Sequence, residues 1–290
     1  MSTTKYKFSV IISTYNTPIE KIKLSIKSVM EQEFESLELI ISDDASERFN
    51  YDEIKNYIQE YKFYDYTIIK HEKNIGTVRN FTNAIKRASG KYIKGLGGGD
   101  LLYDKNTIKD MYQFLEKNSY ELCFGRARNF CLRNGEIRLL REFKSPKHKK
   151  LYNSKYKNIL SDINILLCHD WISGIEIFGK RETMIYFLEK LIPNIKYRED
   201  GFQILAIAEK KRIQFFDRYI AYYEWGDGIS TKAKNNTFKD ILKNELKETI
   251  NISNRRYKKK IWYRILLNIG KNQDSIIVKI VKDCFDKIYT

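Results

Sequence analysis

The sequence predicts an α/β protein whose central sheet is mixed but mainly parallel, is flanked by helices, and is followed by a helical C-terminal extension. Residues 8–12 and 37–41 are short, mainly apolar runs, interrupted only by Ser9 and Glu38, as expected for strands covered on both faces. Between them, apolar residues recur at helical spacing from Ile19 to Met30. A strand, a helix and a second strand in this order predict a right-handed βαβ unit.

Further elements follow along the chain. Apolar runs predict strands at 66–70, 92–96, 122–124, 137–140, 171–178 and 215–223. Helical periodicity predicts helices at 52–61, 78–87, 107–118, 181–191 and 200–209. The lysine-rich segment 143–157, which contains Pro146 and His148, is expected to form an exposed, mobile loop.

The pattern changes at about residue 236. Beyond this point apolar residues recur only at helical spacing, which predicts a tail of helices. Residues 236–290 contain 13 Lys/Arg and 6 Asp/Glu, so they contribute +7 to a net charge of +16. We therefore expect a main domain over residues 1–235 and a basic helical extension over residues 236–290.

Composition limits the class of protein. The chain is 42% hydrophobic and 31% charged, as in globular rather than disordered proteins. It contains no apolar run that approaches the roughly 18 residues of a membrane span. The first seven residues lack a signal core and the four cysteines lack CxxC spacing, so we expect a reduced, cytoplasmic protein. The positive charge favours an anionic partner, unless it reflects only a general enrichment in lysine.

Polar residues follow two of the predicted strands at the point where each strand ends. Ser13, Tyr15 and Asn16 follow the first strand, and Asp43 and Asp44 follow the second. The carboxyl ends of neighbouring parallel strands form the edge at which open α/β sheets bind ligands. This pattern indicates an enzyme that handles a nucleotide.

Six short segments carry a family resemblance. They are found at 9–16 (SVIISTYN), 28–32 (SVMEQ), 40–46 (IISDDAS), 74–76 (NIG), 92–100 (YIKGLGGGD) and 198–200 (RED). In this order they resemble a family 2 glycosyltransferase, which has the Rossmann-like GT-A fold. The resemblance implies that the main domain is the catalytic domain.

The resemblance implies a binding site for the nucleoside of a sugar nucleotide. Ser13, Tyr15 and Asn16 would lie beside the nucleoside. Asp44 would accept a hydrogen bond from the uracil or ribose, with Asp43 next to it. The alternatives are an ordinary packed tyrosine and a solvated turn at the two aspartates.

The resemblance also implies a site for the diphosphate. Arg79 would lie near the phosphates, Gly98 and Gly99 would allow the backbone to approach them, and Asp100 would bind Mn²⁺ or Mg²⁺. The family normally supplies two acids here, whereas this chain has glycine from Gly97 onward and keeps only the last acid. The alternatives are a metal-independent enzyme and a catalytically lapsed nucleotide-sugar-binding protein that kept the GT-A fold.

The catalytic base implied by the resemblance is Asp200, which would take a proton from the attacking acceptor hydroxyl. An ordinary carboxylate cap at a helix start is the alternative. The acceptor side and a cover over the site would be formed by Trp171, Ser173, Glu199, Trp225 and Asp227.

The sequence thus predicts an inverting glycosyltransferase. It would move a hexosyl or N-acetylhexosaminyl group from a nucleotide sugar, a UDP-sugar, to a hydroxyl of a growing cell-surface glycan that is lipid-linked or protein-attached. A nucleotidyltransferase is disfavoured because residues 13–18 contain neither a glycine-rich signature nor a lysine. Six cations interleaved with aromatics at 255–264 predict contact with the anionic inner face of the cell membrane rather than with nucleic acid. A solvated helix face packed on the catalytic domain is the alternative.

Overall fold

A mixed sheet forms the centre of the structure, a computed structural model that describes residues 5–133, 136–143, 145–226 and 236–289. Within these ranges the strands are β1 (Tyr6–Thr14), β2 (Leu37–Asp43), β3 (Tyr66–Lys70), β4 (Gly90–Gly97), β5 (Leu101–Leu102), β6 (Leu122–Arg133), β7 (Glu136–Glu142), β8 (Ile177–Lys180) and β9 (Gln214–Glu224). The helices are α1 (Ile19–Met30), α2 (Tyr51–Glu60), α3 (Thr77–Arg87), α4 (Thr107–Asn118), α5 (Lys157–Leu166), α6 (Arg181–Leu191), α7 (Phe202–Ala208), α8 (Asn236–Arg256), α9 (Ile261–Gly270) and α10 (Ile276–Tyr289).

The strand order is β3-β2-β1-β4-β8-β6-β9-β5, with β7 paired to β6. The first four strands in this order are parallel. Along the chain a helix joins β1 to β2, β2 to β3 and β3 to β4, as connections between parallel strands require. β8 runs antiparallel to both of its neighbours, and β9 runs parallel to β6. The predicted mixed, mainly parallel sheet is therefore confirmed.

Helices cover both faces of the sheet. Val10 and Ile12 point into a cluster that includes residues of α1, α2 and α4. Ile11 points into the opposite cluster, which includes residues of α3, α6 and α7. Successive residues of a strand face opposite sides, so a continuously apolar run is what a strand buried on both faces requires.

The strand register positions the candidate site. Ser13 at the end of β1 pairs with Ser42 of β2 on one side and with Gly97 of β4 on the other. The polar segments that follow these three strands therefore begin at the same level, on one edge of the sheet.

Two sequence predictions are wrong in the region between β7 and α6. Residues 171–178 were predicted as a strand, but they contain a 3₁₀ turn at Gly174–Glu176 and only the beginning of β8. The segment 143–157 was expected to be an exposed loop, yet His148 and Lys149 are buried. The Lys149 ammonium donates to the carbonyl oxygens of Phe143, Ser145 and Pro146, which is why a lysine can be buried there.

The C-terminal helices pack onto the domain that carries the sheet. α8 packs against α7, and α9 packs against α5. Leu267 of α9 is fully buried in the same apolar cluster as α6 and α7. Close contact is required at Gly270, where a Cβ atom would lie 2.3 Å from the carbonyl oxygen of Leu166. The predicted domain boundary at residue 235 stays a prediction.

Replacing Leu267 should destabilise the whole chain rather than the tail alone. We expect Leu267→Ala to lower the free energy of unfolding by about 2–5 kcal/mol, because it opens a cavity in a shared core. Ile265→Ala, at a position that is 40% exposed, is the matched control and should change stability by less than about 0.5 kcal/mol. Urea unfolding followed by circular dichroism measures both, and equal stabilities would contradict the packing described here.

Candidate active site

A cleft of about 1080 Å³ opens at the edge of the sheet where β1, β2 and β4 end. Tyr15, Asp44, Asp100 and Asp200 all line it, although they come from four distant segments of the chain. The predicted site residues that line the cleft are Ser13, Tyr15, Asn16, Asp44, Gly98, Asp100, Ser173, Glu199 and Asp200. The cleft is therefore built by long-range assembly and not by one local motif.

Asp44 organises the turn that precedes α3. Its Oδ1 accepts a hydrogen bond from the N–H of Ile75 at 2.7 Å, and its Oδ2 accepts one from the N–H of Gly76 at 2.9 Å. Gly76 has a φ of +87°, and a Cβ there would lie 2.1 Å from the Lys196 side chain. These two hydrogen bonds connect the segment at 74–76 to the aspartate that follows β2.

Asp43 supports the loop from beneath and does not line the cleft. Its carboxylate is fully buried and accepts hydrogen bonds from the hydroxyl of Thr14 at 2.8 Å and from the N–H of Ser46 at 2.8 Å. The Ser46 hydroxyl lies 2.7 Å from the N–H of Asn16, which donates to it. Asp43 thus fixes the loop that carries Tyr15, whose ring is 43% exposed at the cleft.

The glycine segment after β4 is fixed by its own hydrogen bonds. The N–H of Gly97 donates to Asp100 Oδ2 at 3.0 Å, that of Gly98 to the carbonyl of Ser13 at 2.9 Å, and that of Gly99 to the hydroxyl of Ser25 at 2.8 Å. These three N–H groups already have partners within the protein. The glycines therefore provide space, since side chains here would fill the cleft or collide with its wall.

Asp100 joins the two halves of the cleft. Its second oxygen accepts a hydrogen bond from the N–H of Glu224 at 2.9 Å. Burial raises the pKa of Asp100 to about 7, although the N–H groups of Glu224 and Gly97 favour the ionised form. The charge on this carboxyl is consequently sensitive to whatever cation enters the cleft.

Sequence reasoning missed Glu224 and Lys21. Both line the cleft, and the Lys21 ammonium pairs with Glu224 Oε1. Glu224 closes β9, so an acid at the end of a strand was the signal that could have identified it. Lys21 lies in the first turn of α1, where a lysine gives no functional signal by itself.

The acidic pair before α7 also lines the cleft. Glu199 and Asp200 belong to a 3₁₀ turn at Glu199–Gly201 that leads directly into α7. Burial raises the pKa of both carboxyls, and the charge of Asp200 raises that of Glu199 further, to about 8. Arg198 Nη2 lies 4.0 Å from Asp200 Oδ1 and favours its ionised form. The two carboxyls therefore titrate as a pair, in which Arg198 favours negative charge on Asp200.

Three other predicted residues, Arg79, Trp171 and Trp225, do not line the cleft. Arg79 is exposed and donates to the carbonyl oxygen of Ile192 at 3.3 Å. Trp171 packs beneath the wall, stacked on His169 at 5.2 Å between ring centroids. Trp225 is 51% exposed beyond the end of β9. Asp227 lies outside the residues that the structure describes. The cations that do line the cleft are Lys21, Lys196 and Arg198.

The residues at Gly97–Asp100 fit a hard divalent cation. Asp100 and Glu224 bring carboxylates to the cleft from two elements, and carboxylate oxygens suit Mn²⁺ and Mg²⁺. Gly99 leaves the room for this arrangement, since a Cβ there would lie 2.3 Å from Glu224 Oε2. The described residues contain no cluster of three or more metal-binding side chains, so the other ligands would be phosphate oxygens and water.

The chain has the GT-A fold. The sequence profile described as "Glycosyl transferase family 2" matches residues 9–175, more than half of the chain. The chain belongs to glycosyl transferase family 2.

Two sequence relatives are named as glycosyltransferases. One from Methanocaldococcus jannaschii is 34% identical over 151 residues, which are 51% of this chain and 50% of the relative. A GalNAc(5)-diNAcBac-PP-undecaprenol beta-1,3-glucosyltransferase from Campylobacter jejuni is 30% identical over 140 residues, 47% of this chain and 42% of the relative. The chain spans about half or less of the length of these relatives.

Solved structures share the fold. TarS 1–349 of S. aureus, solved in complex with UDP, has a TM-score of 0.58 at 20% identity over 92% of this chain and 71% of that one. The mannosyltransferase PcManGT of Pyrobaculum calidifontis, solved with GDP-Man and Mn²⁺, has a TM-score of 0.58 at 13% identity over 97% of this chain and 80% of that one. In the described part of the present chain, no helix combines the length and apolar character needed to cross a bilayer.

Proposed function

We propose that this chain transfers a hexosyl or N-acetylhexosaminyl group from a UDP-sugar to a hydroxyl of a lipid-linked glycan, with inversion at the anomeric carbon. The observation that supports it is the convergence of Tyr15, Asp44, Asp100 and Asp200 on one cleft. A binding protein that had lost catalysis would have no need for the carboxylate of Asp200 in the cleft that holds the donor. The reaction would take place in the cytoplasm, at the inner face of the cell membrane.

The donor would lie along the wall formed by β1, β2 and β4. Tyr15 would contact the nucleobase of the donor. Lys21, Lys196 and Arg198 would provide, near the diphosphate, the positive charge that the sequence analysis expected from Arg79. TarS is named as solved with UDP and with UDP-GlcNAc, which favours a UDP-sugar for a chain of this fold. The Campylobacter relative is named for an undecaprenol-linked acceptor, which favours a lipid-linked glycan.

Asp200 would act as the general base. As the acceptor oxygen forms its bond to the anomeric carbon, the bond from that carbon to the diphosphate breaks and its electron pair leaves with UDP. Asp200 takes the proton of the acceptor hydroxyl. Glu199, which holds its proton at neutral pH, would instead donate a hydrogen bond to the acceptor.

Asp100 and Glu224 would hold the divalent cation. When bound, such a cation neutralises charge that develops on the leaving diphosphate. Lys21, paired with Glu224, places a further positive charge at the same end of the cleft.

Release of UDP from a panel of UDP-sugars, with and without Mn²⁺, tests the whole proposal. Tight UDP binding without turnover of any donor would favour the lapsed binding protein.

Removing the proposed base should abolish transfer without loosening the donor. Asp200→Asn should lower kcat by about 10²–10⁴-fold and leave the Kd for UDP nearly unchanged, because a neutral amide cannot accept the proton. Glu199→Gln is the matched control, since its amide resembles the protonated acid, and it should keep most of the activity. Steady-state kinetics and calorimetry measure both variants. If the Glu199 variant were the inactive one, the two roles would have been assigned the wrong way round.

The pH profile should report the environment of Asp200. Burial raises its pKa, so activity should fall on the acidic side at a pH above the ordinary range of carboxylates. Arg198 opposes this shift, so Arg198→Gln should move the acidic limb of kcat/KM to still higher pH. Arg79→Gln removes an exposed arginine outside the cleft and should leave the limb in place. An unmoved limb in the Arg198 variant would exclude Asp200 as the titrating group.

A methyl group at Gly99 should disturb the proposed cation site. Gly99 has a φ of +109°, and its Cβ would displace Glu224. Gly226 has a φ of +115° and no atom within 4 Å of its Cβ, so Gly226→Ala carries the same backbone strain without the displacement. We expect Gly99→Ala to weaken Mn²⁺-dependent UDP binding by about 10–100-fold, with Gly226→Ala close to wild type. Calorimetry with UDP measures this, and equal affinities would remove Glu224 from the site.

A further inference from the structure

The turn between α8 and α9 exposes both cations and large apolar side chains. We call this surface the basic corner; it consists of Arg255, Arg256, Lys258, Lys259, Lys260, Ile261, Trp262 and Ile265. Trp262 is 79% exposed, Ile261 is 68% exposed and Ile265 is 40% exposed. A tryptophan and two isoleucines exposed next to one another mark an interaction surface rather than ordinary scatter.

The charge of the basic corner is largely uncompensated. Arg255 pairs with Glu248 at 2.7 Å. Lys258, Lys259 and Lys260 are exposed, and none of them forms a salt bridge with another residue in the described ranges. The segment 255–264 contains six cations and no acid. An anionic partner is therefore favoured.

The basic corner is held firmly by what lies beneath it. Tyr263, between the exposed Trp262 and Arg264, is buried, and its hydroxyl donates to the carbonyl of Ile204 at 3.0 Å. Leu267, one turn further on, is fully buried. The exposure of Trp262 thus follows from the packing of α9 and not from a frayed end.

We propose that the basic corner docks the protein on the surface of a bilayer that contains anionic phospholipids. Lysine side chains reach the headgroups while tryptophan and isoleucine enter the boundary between headgroups and acyl chains, as in interfacial helices. A nucleic acid would engage the lysines but would leave Ile261 and Ile265 without a favourable environment. The exposed apolar side chains of the basic corner therefore favour a lipid bilayer over a nucleic acid as its partner.

The docking goes beyond the proposed transfer reaction but serves its lipid-linked acceptor. Tyr263 contacts Ile204 on α7, and α7 follows Asp200 directly. One short helix therefore connects the proposed base to the proposed membrane contact. The acceptor wall of the cleft and the lipid surface would be held in a fixed relation.

Vesicle binding by the full chain tests the proposal. Phosphatidylcholine vesicles with about one third phosphatidylglycerol should co-sediment the protein and shift its tryptophan emission to the blue, whereas pure phosphatidylcholine should not. A triple variant with Lys258, Lys259 and Lys260 each changed to Gln should bind at least about tenfold more weakly. The matched control changes the exposed Lys27, Lys109 and Lys117 to Gln and should bind like wild type.

The apolar half has its own test. Ile261→Ser combined with Ile265→Ser should reduce the blue shift of Trp262 and weaken vesicle binding, whereas Ile159→Ser, at a position that is 61% exposed, should do neither. Both variants should keep the wild-type Tm and the wild-type rate of UDP release with a soluble acceptor, so a failure of docking is distinguishable from a failure of catalysis. Binding that is equal for neutral and anionic vesicles, an unchanged blue shift in the double variant, or tighter binding to RNA than to vesicles would each overturn the proposal.

Discussion

The cleft depends on one carboxylate, that of Asp100, which joins two strands that are not neighbours. One oxygen accepts a hydrogen bond from Gly97 at the end of β4, and the other accepts one from Glu224 at the end of β9. β8 and β6 lie between these strands in the sheet, so the link spans the gap where the parallel part of the sheet gives way to the mixed part. The pairing of β5 with β9, which places Leu101 opposite Tyr222, holds the same two segments together from the other side of Asp100.

Burying this carboxylate is tolerable chiefly because the N–H groups of Glu224 and Gly97 donate to it, and secondly because an opposite charge is buried nearby. Lys94 is completely buried in β4 and donates to the carbonyls of Gly95 and Ile175 at 2.6 Å each. Burial lowers the pKa of Lys94 to about 7, and the charge of Asp100 opposes that shift, just as Lys94 opposes the shift of Asp100. Two groups that would each be costly to ionise alone make the ionised state accessible to one another. Lys94 and Asp100 thus each influence the charge state of the other.

The sequence predicted what is local and periodic, and missed what depends on distant partners. Strand runs such as 37–41 reveal burial on both faces, and the acids after β2 reveal the edge of the sheet. Lys149 could not be predicted as buried, because its partner carboxylate, that of the fully buried Glu176, comes from a separate turn and lies 3.2 Å from the ammonium group. Arg79 resembles a phosphate ligand in its segment, but the packing of α3 against α6 directs it to Ile192. Glu224 could not be identified from its own segment, because the lysine that pairs with it, Lys21, is 203 residues away.

The C-terminal helices extend the same logic to the other wall of the cleft. Glu245 on α8 accepts hydrogen bonds from the N–H groups of Lys196, Tyr197 and Arg198, which lead directly to the acidic pair. The tail therefore does more than cover the core, because it fixes the backbone from which Glu199 and Asp200 project. The same segment carries Lys196 and Arg198, which line the cleft, and the carbonyl oxygen of Lys196 accepts a hydrogen bond from the N–H of Val78 at 3.0 Å. α8 therefore supports both the cations and the acidic pair of the cleft through one carboxylate.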